Sequence, residues 1–246
     1  MAAPGRSLLR SDFWRWSPDE LSCLVAPAGL ATSVELKVVV PEEAHAFTCA
    51  AFGVDLEWAD ARRVWFLDTP DLALEHSGVV ARVRQIGNGR DDSVIKLRPG
   101  LPVNAKRCTV EVDAMPGRLV RTTAIRKRLR HGIAEGRPWS QYFCRTQREL
   151  FAAQAPAGIG FDDLMAHGPV DVRRIKVVPD GLDRRLTVER WTFPDGSRIL
   201  ELSTRCAAAE ALEVAARTAE VLRAHRVEAT GPQETKTRAA LAYFSG

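Results

Sequence analysis

The chain has 246 residues, 46% of them hydrophobic and 27% charged, with a net charge of +4. This composition gives an ample core and excludes a disordered, collagenous or disulfide-stapled chain. The basic lean is mild, so a small polyanion is as good a partner as nucleic acid, and the placement of charge matters more than its sum.

Residues 1–30 carry Pro4, Gly5, Pro18, Pro27 and Gly29 around Phe13, Trp14 and Trp16, with no sustained period, and read as an arm ahead of one domain over 31–246. A first strand is expected over 33–40, with Val34, Leu36, Val38 and Val40 on one face and Ser33, Glu35 and Lys37 on the other. Pro41 then opens a helix through about Phe52, with Glu42 and Glu43 favouring its dipole. A strand near 63–67 runs into Asp68-Thr69-Pro70-Asp71, where oxygen-bearing caps and an early proline start a short helix that Gly78 ends. Asp68 and Asp71 are therefore read as caps rather than ligands.

Strands follow near 79–86, 92–98 and 106–113, separated by Gly87-Asn88-Gly89 and by Pro99-Gly100. The stretch from about 117 to 167 reads as a helical insert broken by Gly136, Pro138, Pro156 and Gly158; it is a candidate to gate the site or to meet a second subunit in a homodimer. Within it, the run Arg126-Lys127-Arg128-Leu129-Arg130-His131 reads as the exposed face of an amphipathic helix, and no nucleic-acid reading module accompanies it. Strands near 170–178, 184–193 and 197–205 complete a set of eight, the last two joined by a Pro194-Asp195-Gly196 turn. A final helix from about 206 to 225 places Leu212, Ala215, Ala219 and Leu222 on one face.

Five cysteines, Cys23, Cys49, Cys108, Cys144 and Cys206, are odd in number and contain no CxxC pair. They read as reduced thiols, neither a disulfide framework nor a zinc site. No segment is long enough to span a bilayer and the start lacks a signal-peptide core, so a cytoplasmic location is expected.

The informative pattern is the recurrence of charge on alternate strand positions: Glu35/Lys37, Arg82/Arg84, Lys96/Arg98, Arg107/Glu111 and Glu201. Alternation puts these side chains on one face whose reverse is apolar. Acids and bases mixed across this set of faces suit the inside of a closed barrel. With Leu-Asp-Thr-Pro-Asp-Leu at 67–72, Ala-Arg-Val-Arg at 81–84, Ile-Lys-Leu-Arg-Pro at 95–99 and Pro-Asp-Gly-Ser at 194–197, the order resembles the CYTH superfamily of triphosphate tunnel metalloenzymes from Ser33 onward. The resemblance implies an α+β protein, an eight-stranded antiparallel barrel surrounded by helices, that binds a triphosphate and a divalent metal. It also implies membership among triphosphatases of inorganic triphosphate, thiamine triphosphate or RNA, or among adenylate cyclases.

In that setting Lys37, Arg82, Arg84, Lys96, Arg98, Arg107 and Arg185 are the phosphate-binding candidates, since several cations must neutralise a triphosphate and arginine grips its oxygens in a fork. Glu35, Glu111, Glu189 and Glu201 are the expected ligands of Mg2+ or Mn2+, which favour carboxylate oxygens. Glu35, Lys37, Glu189 and Glu201 are the catalytic candidates. Lys236, in Glu-Thr-Lys-Thr-Arg, resembles a lysine-bearing segment that closes one tunnel mouth in the superfamily, and an exposed helical lysine is the equal alternative. The sequence departs from the superfamily at Ser33, Thr109 and Ser203, where hydroxyls replace carboxylates and make the interior more positive. Hydrolysis of a triphosphate compound, nucleotide cyclisation, and non-catalytic binding of a polyphosphate or another phosphorylated ligand remain the three readings.

Overall fold

The computed structural model describes residues 13, 14, 16, 20, 33–87, 89–100 and 108–245. Nine strands, β1 (Ser33–Val40), β2 (Asp60–Asp68), β3 (Val79–Ile86), β4 (Asp92–Leu97), β5 (Cys108–Met115), β6 (Arg118–Arg128), β7 (Met165–Val177), β8 (Leu186–Thr192) and β9 (Arg198–Cys206), close into a barrel. Around it the order is β1-β5-β6-β4-β3-β2-β7-β8-β9. An odd number of strands cannot alternate direction all the way round, and β1 against β5 is the parallel seam that this parity requires.

The barrel thus has one strand more than the eight expected, and it is not wholly antiparallel. The additional strand is β6, in the stretch read as the start of a helical insert. The basic run begins within this strand, at Arg126, Lys127 and Arg128, and continues beyond its end; the strand pairs with β4 on one side and β5 on the other. Thr122, Thr123 and Ile125 supply the β-branched character that a count of charges overlooks. Helix α3 (Arg145–Gln154) and short 3-10 turns make up the helical part between β6 and β7. Gln147, fully buried, fastens α3 by donating to the carbonyls of Ser93 and Ile125 and accepting from the Cys144 amide.

Most strands turn an apolar face outward. Val38, Val40, Leu186, Val188, Leu200 and Leu202 pack against Ala219, Val221 and Leu222 of α4 (Ala211–Ala224), joined by Phe13 from the arm. Leu222 is completely buried, worth about 1.5–3 kcal/mol of hydrophobic stabilisation. Trp14 donates from Nε1 to the Ala114 carbonyl of β5 at 3.1 Å. On the opposite side Ala81, Val83, Ile95, Leu97 and Ile125 meet Tyr142, Phe143, Leu150 and Phe151 of the segment between β6 and β7.

Helix α1 (His45–Ala51) follows a 3-10 turn opened by Pro41, as expected from the proline and two glutamates. Helix α2 (Ala73–His76) is capped as expected: Asp68 accepts from the amides of Thr69, Leu74 and Glu75. Gly78 ends it with φ +74°, and a Cβ there would fall 1.8 Å from the Arg98 carbonyl oxygen. Only glycine lets this turn lie against the end of β4, where its own carbonyl accepts from the Arg98 amide at 2.7 Å. Helix α5 (Lys236–Ser245) enters one end of the barrel, where Ala240 and Leu241 pack on Val64, Phe66, Val170, Val172, Trp191 and Phe193. Among the described residues no helix is long and apolar enough to cross a membrane, and the four described cysteines are free.

Candidate functional site

The inward faces enclose a tunnel of about 1260 Å3. Fourteen lysine and arginine side chains line it against six carboxylates. The whole chain carries only +4, so its positive charge is concentrated here. The outward faces are apolar because helices cover them, which leaves the interior as the place where alternate charged residues can go.

Strand register stacks these side chains in rungs. Glu35 lies beside Asp113 of β5 and Arg205 of β9; Lys37 lies beside Ser203; Glu189 lies beside Glu201. Asp113, 2% exposed, is the centre of the first cluster. Lys37 Nζ stands 2.9 Å from its Oδ1, Lys96 Nζ 2.9 Å from its Oδ2, and Arg98 3.8 Å away. Burial alone would raise the Asp113 carboxyl, but the two lysines and Arg98 outweigh it and hold it far below the usual carboxylate range. Glu35 behaves likewise: burial opposes ionisation, yet Lys37 at 3.0 Å and Arg205 at 3.3 Å keep its pKa at about 2. For Lys96 burial prevails, with help from Lys37 and Arg98, and the ammonium is brought down to about 8.

Glu111 pairs with Arg205 at 2.9 Å. Single carboxylate oxygens of Glu35, Glu111 and Asp113 lie within 4.8 Å of one another, a set of hard donors able to hold one divalent cation. Asp113 Oδ1 is fully buried and, despite its ion pair with Lys37, accepts no hydrogen bond. The donor set therefore fits such a cation, although the identity of the metal is not fixed by it.

Glu189 and Glu201 form a second cluster at the end closed by α5. The Lys236 ammonium bonds Glu189 and lies 2.8 Å from Glu201, while Arg174 pairs with Glu189 at 3.0 Å. Burial opposes the Glu189 charge, but Lys236 and Arg174 drive its pKa well down. Glu201 is shifted upward by burial, with Glu189 adding to it against Lys236 and Lys37. Of the four expected metal ligands, the fold thus gathers Glu35 and Glu111 with Asp113, and gives Glu189 and Glu201 to a lysine.

Among the phosphate-binding candidates, Lys37, Arg82, Arg84, Lys96, Arg98 and Arg185 all line the tunnel, and Arg107 lies outside the described residues. Arg84 is held in a fork by Asp92, at 2.9 Å and 2.5 Å. Arg82 differs. Its Nε is buried without a hydrogen-bond partner, and no ion pair reaches it among the described residues. Burial and the neighbouring Arg84 depress its pKa despite Asp92. Arg62 Nε is likewise buried and unpartnered.

Sequence reasoning missed Asp113, Asp92, Arg62, Arg174 and Arg205 as tunnel residues. Asp113 and Arg205 had a signal: each is two positions from a recognised inward residue, Glu111 and Ser203, on the same strand. Arg174 had none as clear, because its inward neighbours Val170 and Val172 are apolar.

No protein-family model matches the chain, and no curated protein is significantly similar to it. Solved structures do match. An adenylate-cyclase-like protein of Bacillus halodurans superposes with a TM-score of 0.53 at 14% identity, covering 86% of this chain and 98% of its own. HpAC1 of Hippeastrum, an adenylyl-cyclase-like protein described as having a dominant triphosphatase activity, superposes with a TM-score of 0.58 at 14% identity, covering 85% of this chain and 95% of its own. At that identity the likeness speaks for architecture alone. The chain therefore shares the closed-barrel fold of these two proteins.

Proposed function

We propose that the protein is a metal-assisted phosphohydrolase acting on a triphosphate compound held inside the tunnel. The observation that carries this reading is Arg82: a buried guanidinium with no carboxylate partner, facing a cavity where cations outnumber acids. A buried charge without a counterion is costly, and a bound polyanion removes that cost. Arg82 and Arg62 offer buried guanidinium nitrogens without partners, and Lys37, Lys96 and Arg98, gathered round Asp113, would hold further phosphate oxygens.

Glu35, Glu111 and Asp113 would hold the cation, with Mg2+ or Mn2+ the ions their oxygens suit. A divalent ion bound there supplies Lewis-acid polarisation of phosphoryl oxygens. The arginines and lysines absorb the charge that develops on the transferring phosphoryl group. The tunnel wall restricts approach to the phosphorus, and α5 closes the inner end. Water rather than a ribose hydroxyl is favoured as nucleophile by the dominant triphosphatase activity of HpAC1, which has the same fold. One feature supports a second reading, as a binder without turnover: Glu35, Asp113, Glu189 and Glu201 are each already paired with a cation.

Incubation with tripolyphosphate, ATP or thiamine triphosphate under Mg2+ or Mn2+, with phosphate, pyrophosphate and cyclic nucleotide all measured, tests these readings. Phosphate release from at least one substrate is expected, and Glu111→Gln should lower it by about tenfold or more while leaving the fold intact. Cyclic nucleotide as the main product would establish a cyclase. Tight binding with no product would establish the binder.

A further inference from the structure

A second cavity, of about 600 Å3, lies between β6 and the segment that follows it. Its basic side chains are Arg126, Lys127, Arg128, Arg130, His131 and Arg137, and no carboxylate lines it. Arg126 and Arg128 also line the tunnel, so the two spaces meet at the tunnel rim. The far wall is fixed rather than loose. Asp91 accepts the Ile133 amide at 3.0 Å, and the Tyr142 hydroxyl both accepts from the Ala134 amide at 2.9 Å and donates to its carbonyl at 3.1 Å.

The cations here are little compensated. Arg126 has only a 3.8 Å approach to Asp92, and Arg137 contacts the Gln141 amide oxygen and the Tyr142 ring. Lys127 Nζ makes a long 3.4 Å contact to the Tyr142 carbonyl. Arg128 and Arg130 make no ion pair among the described residues. On one strand, alternate residues recur about every 7 Å, so Arg126 and Arg128 lead outward from the tunnel as a ladder that Arg130 continues beyond the strand's end. Such a ladder matches an anion with repeated charge. Tyr142 is 2% exposed with its hydroxyl engaged, which leaves the imidazole of His131 as the one exposed ring among the described lining residues, too little for a run of stacked nucleobases.

We infer that this rim cleft is a second anion site that receives the part of a linear inorganic polyphosphate extending beyond the three phosphates held in the tunnel. The inference rests on the reading of the tunnel as a triphosphate site and extends its substrate class from triphosphate to longer chains. Lys127, Arg130 and Arg137 line the cleft and not the tunnel, so the ionic contacts they add select for chain length and leave a short ligand unaffected.

The test compares tripolyphosphate with long-chain polyphosphate by calorimetric titration, on the native protein and on Lys127→Gln/Arg130→Gln/Arg137→Gln. Long chains present many overlapping triphosphate units and bind more tightly for that reason alone, so the variant is the discriminating arm. The expected result is that the substitutions weaken long-chain binding about tenfold and leave tripolyphosphate binding within about twofold. Retained tripolyphosphate binding also reports a folded variant. Arg130→Gln alone, at an exposed side chain, should show a smaller loss in the same direction. Equal weakening of both ligands, or unchanged long-chain binding, overturns the inference. So does oligothymidylate that displaces long-chain polyphosphate at equal phosphate concentration, which would make the cleft a nucleic-acid site. Failure of tripolyphosphate to bind the native protein would instead overturn the tunnel reading, and the extension with it.

Discussion

Two groups of carboxylates face the same cavity and meet different partners. Near the parallel seam, Glu35, Glu111 and Asp113 project from two adjacent strands, and their cations, Lys37, Lys96 and Arg205, come from strands as well. At the closed end, Glu189 and Glu201 share a lysine that arrives on α5, some thirty residues beyond the last strand. In the first group three acids converge and one buried oxygen still lacks a hydrogen bond; in the second, one ammonium satisfies both acids. The comparison teaches that the number of carboxylates on a strand does not locate a cation site. What distinguishes the first group is the convergence of three carboxylates with one oxygen still lacking a hydrogen bond, whereas in the second a single ammonium bridges both acids.

Substitution of Asp113 should give the largest effect. Asp113→Ala leaves Lys37 and Lys96 buried beside each other without their common counterion, and a loss of about 3–5 kcal/mol in chemical denaturation is expected. A loss below 1 kcal/mol would mean that the first group is less tightly coupled than its distances imply. Lys236→Met should cost less, about 2 kcal/mol, because Glu189 keeps Arg174 and the carboxyl of Glu201, already shifted upward, takes up a proton. The same variant sharpens the comparison. Thermal stabilisation by Mg2+ should persist in Lys236→Met and diminish in Glu111→Gln; the reverse pattern would move the cation site to the closed end.

The smallest effect concerns pH. Lys96, at about 8, is protonated and attracts anions below that value and loses its charge above it. Tripolyphosphate affinity should therefore fall by about three- to tenfold between about pH 7 and about pH 9, and Lys96→Arg should flatten the profile. An affinity that is level across this range in the native protein would show that Lys96 does not face the ligand.

Much of the barrel was legible from residues because inward and outward faces obey a period of two. Ser33 to Val40 was read with its observed limits, and Arg82/Arg84 and Lys96/Arg98 do point inward. Strand β6 was not legible: four cations and a histidine within Arg126 to His131 resemble a solvated helix face, and β4, one of the two strands it pairs with, is some thirty residues away in sequence. The candidate site was half legible. Glu35, Lys37 and Glu111 were placed by alternation, whereas the importance of Asp113 depends on lysines from two other strands meeting it. Arg107 remains an expectation, since it lies outside the described residues.

The alternation of charge and the turn chemistry at Asp68, Gly78 and Asp195 belong to the sequence by itself, because strand pleat and backbone stereochemistry act within a few residues. They determined a barrel whose inside is ionic. Which carboxylates meet each other, which meet a lysine first, and which arginine is left without a partner were decided only by tertiary structure. Ion pairs form between strands and helices far apart along the chain, and burial, which no local pattern encodes, sets the cost of leaving any one of them unpaired.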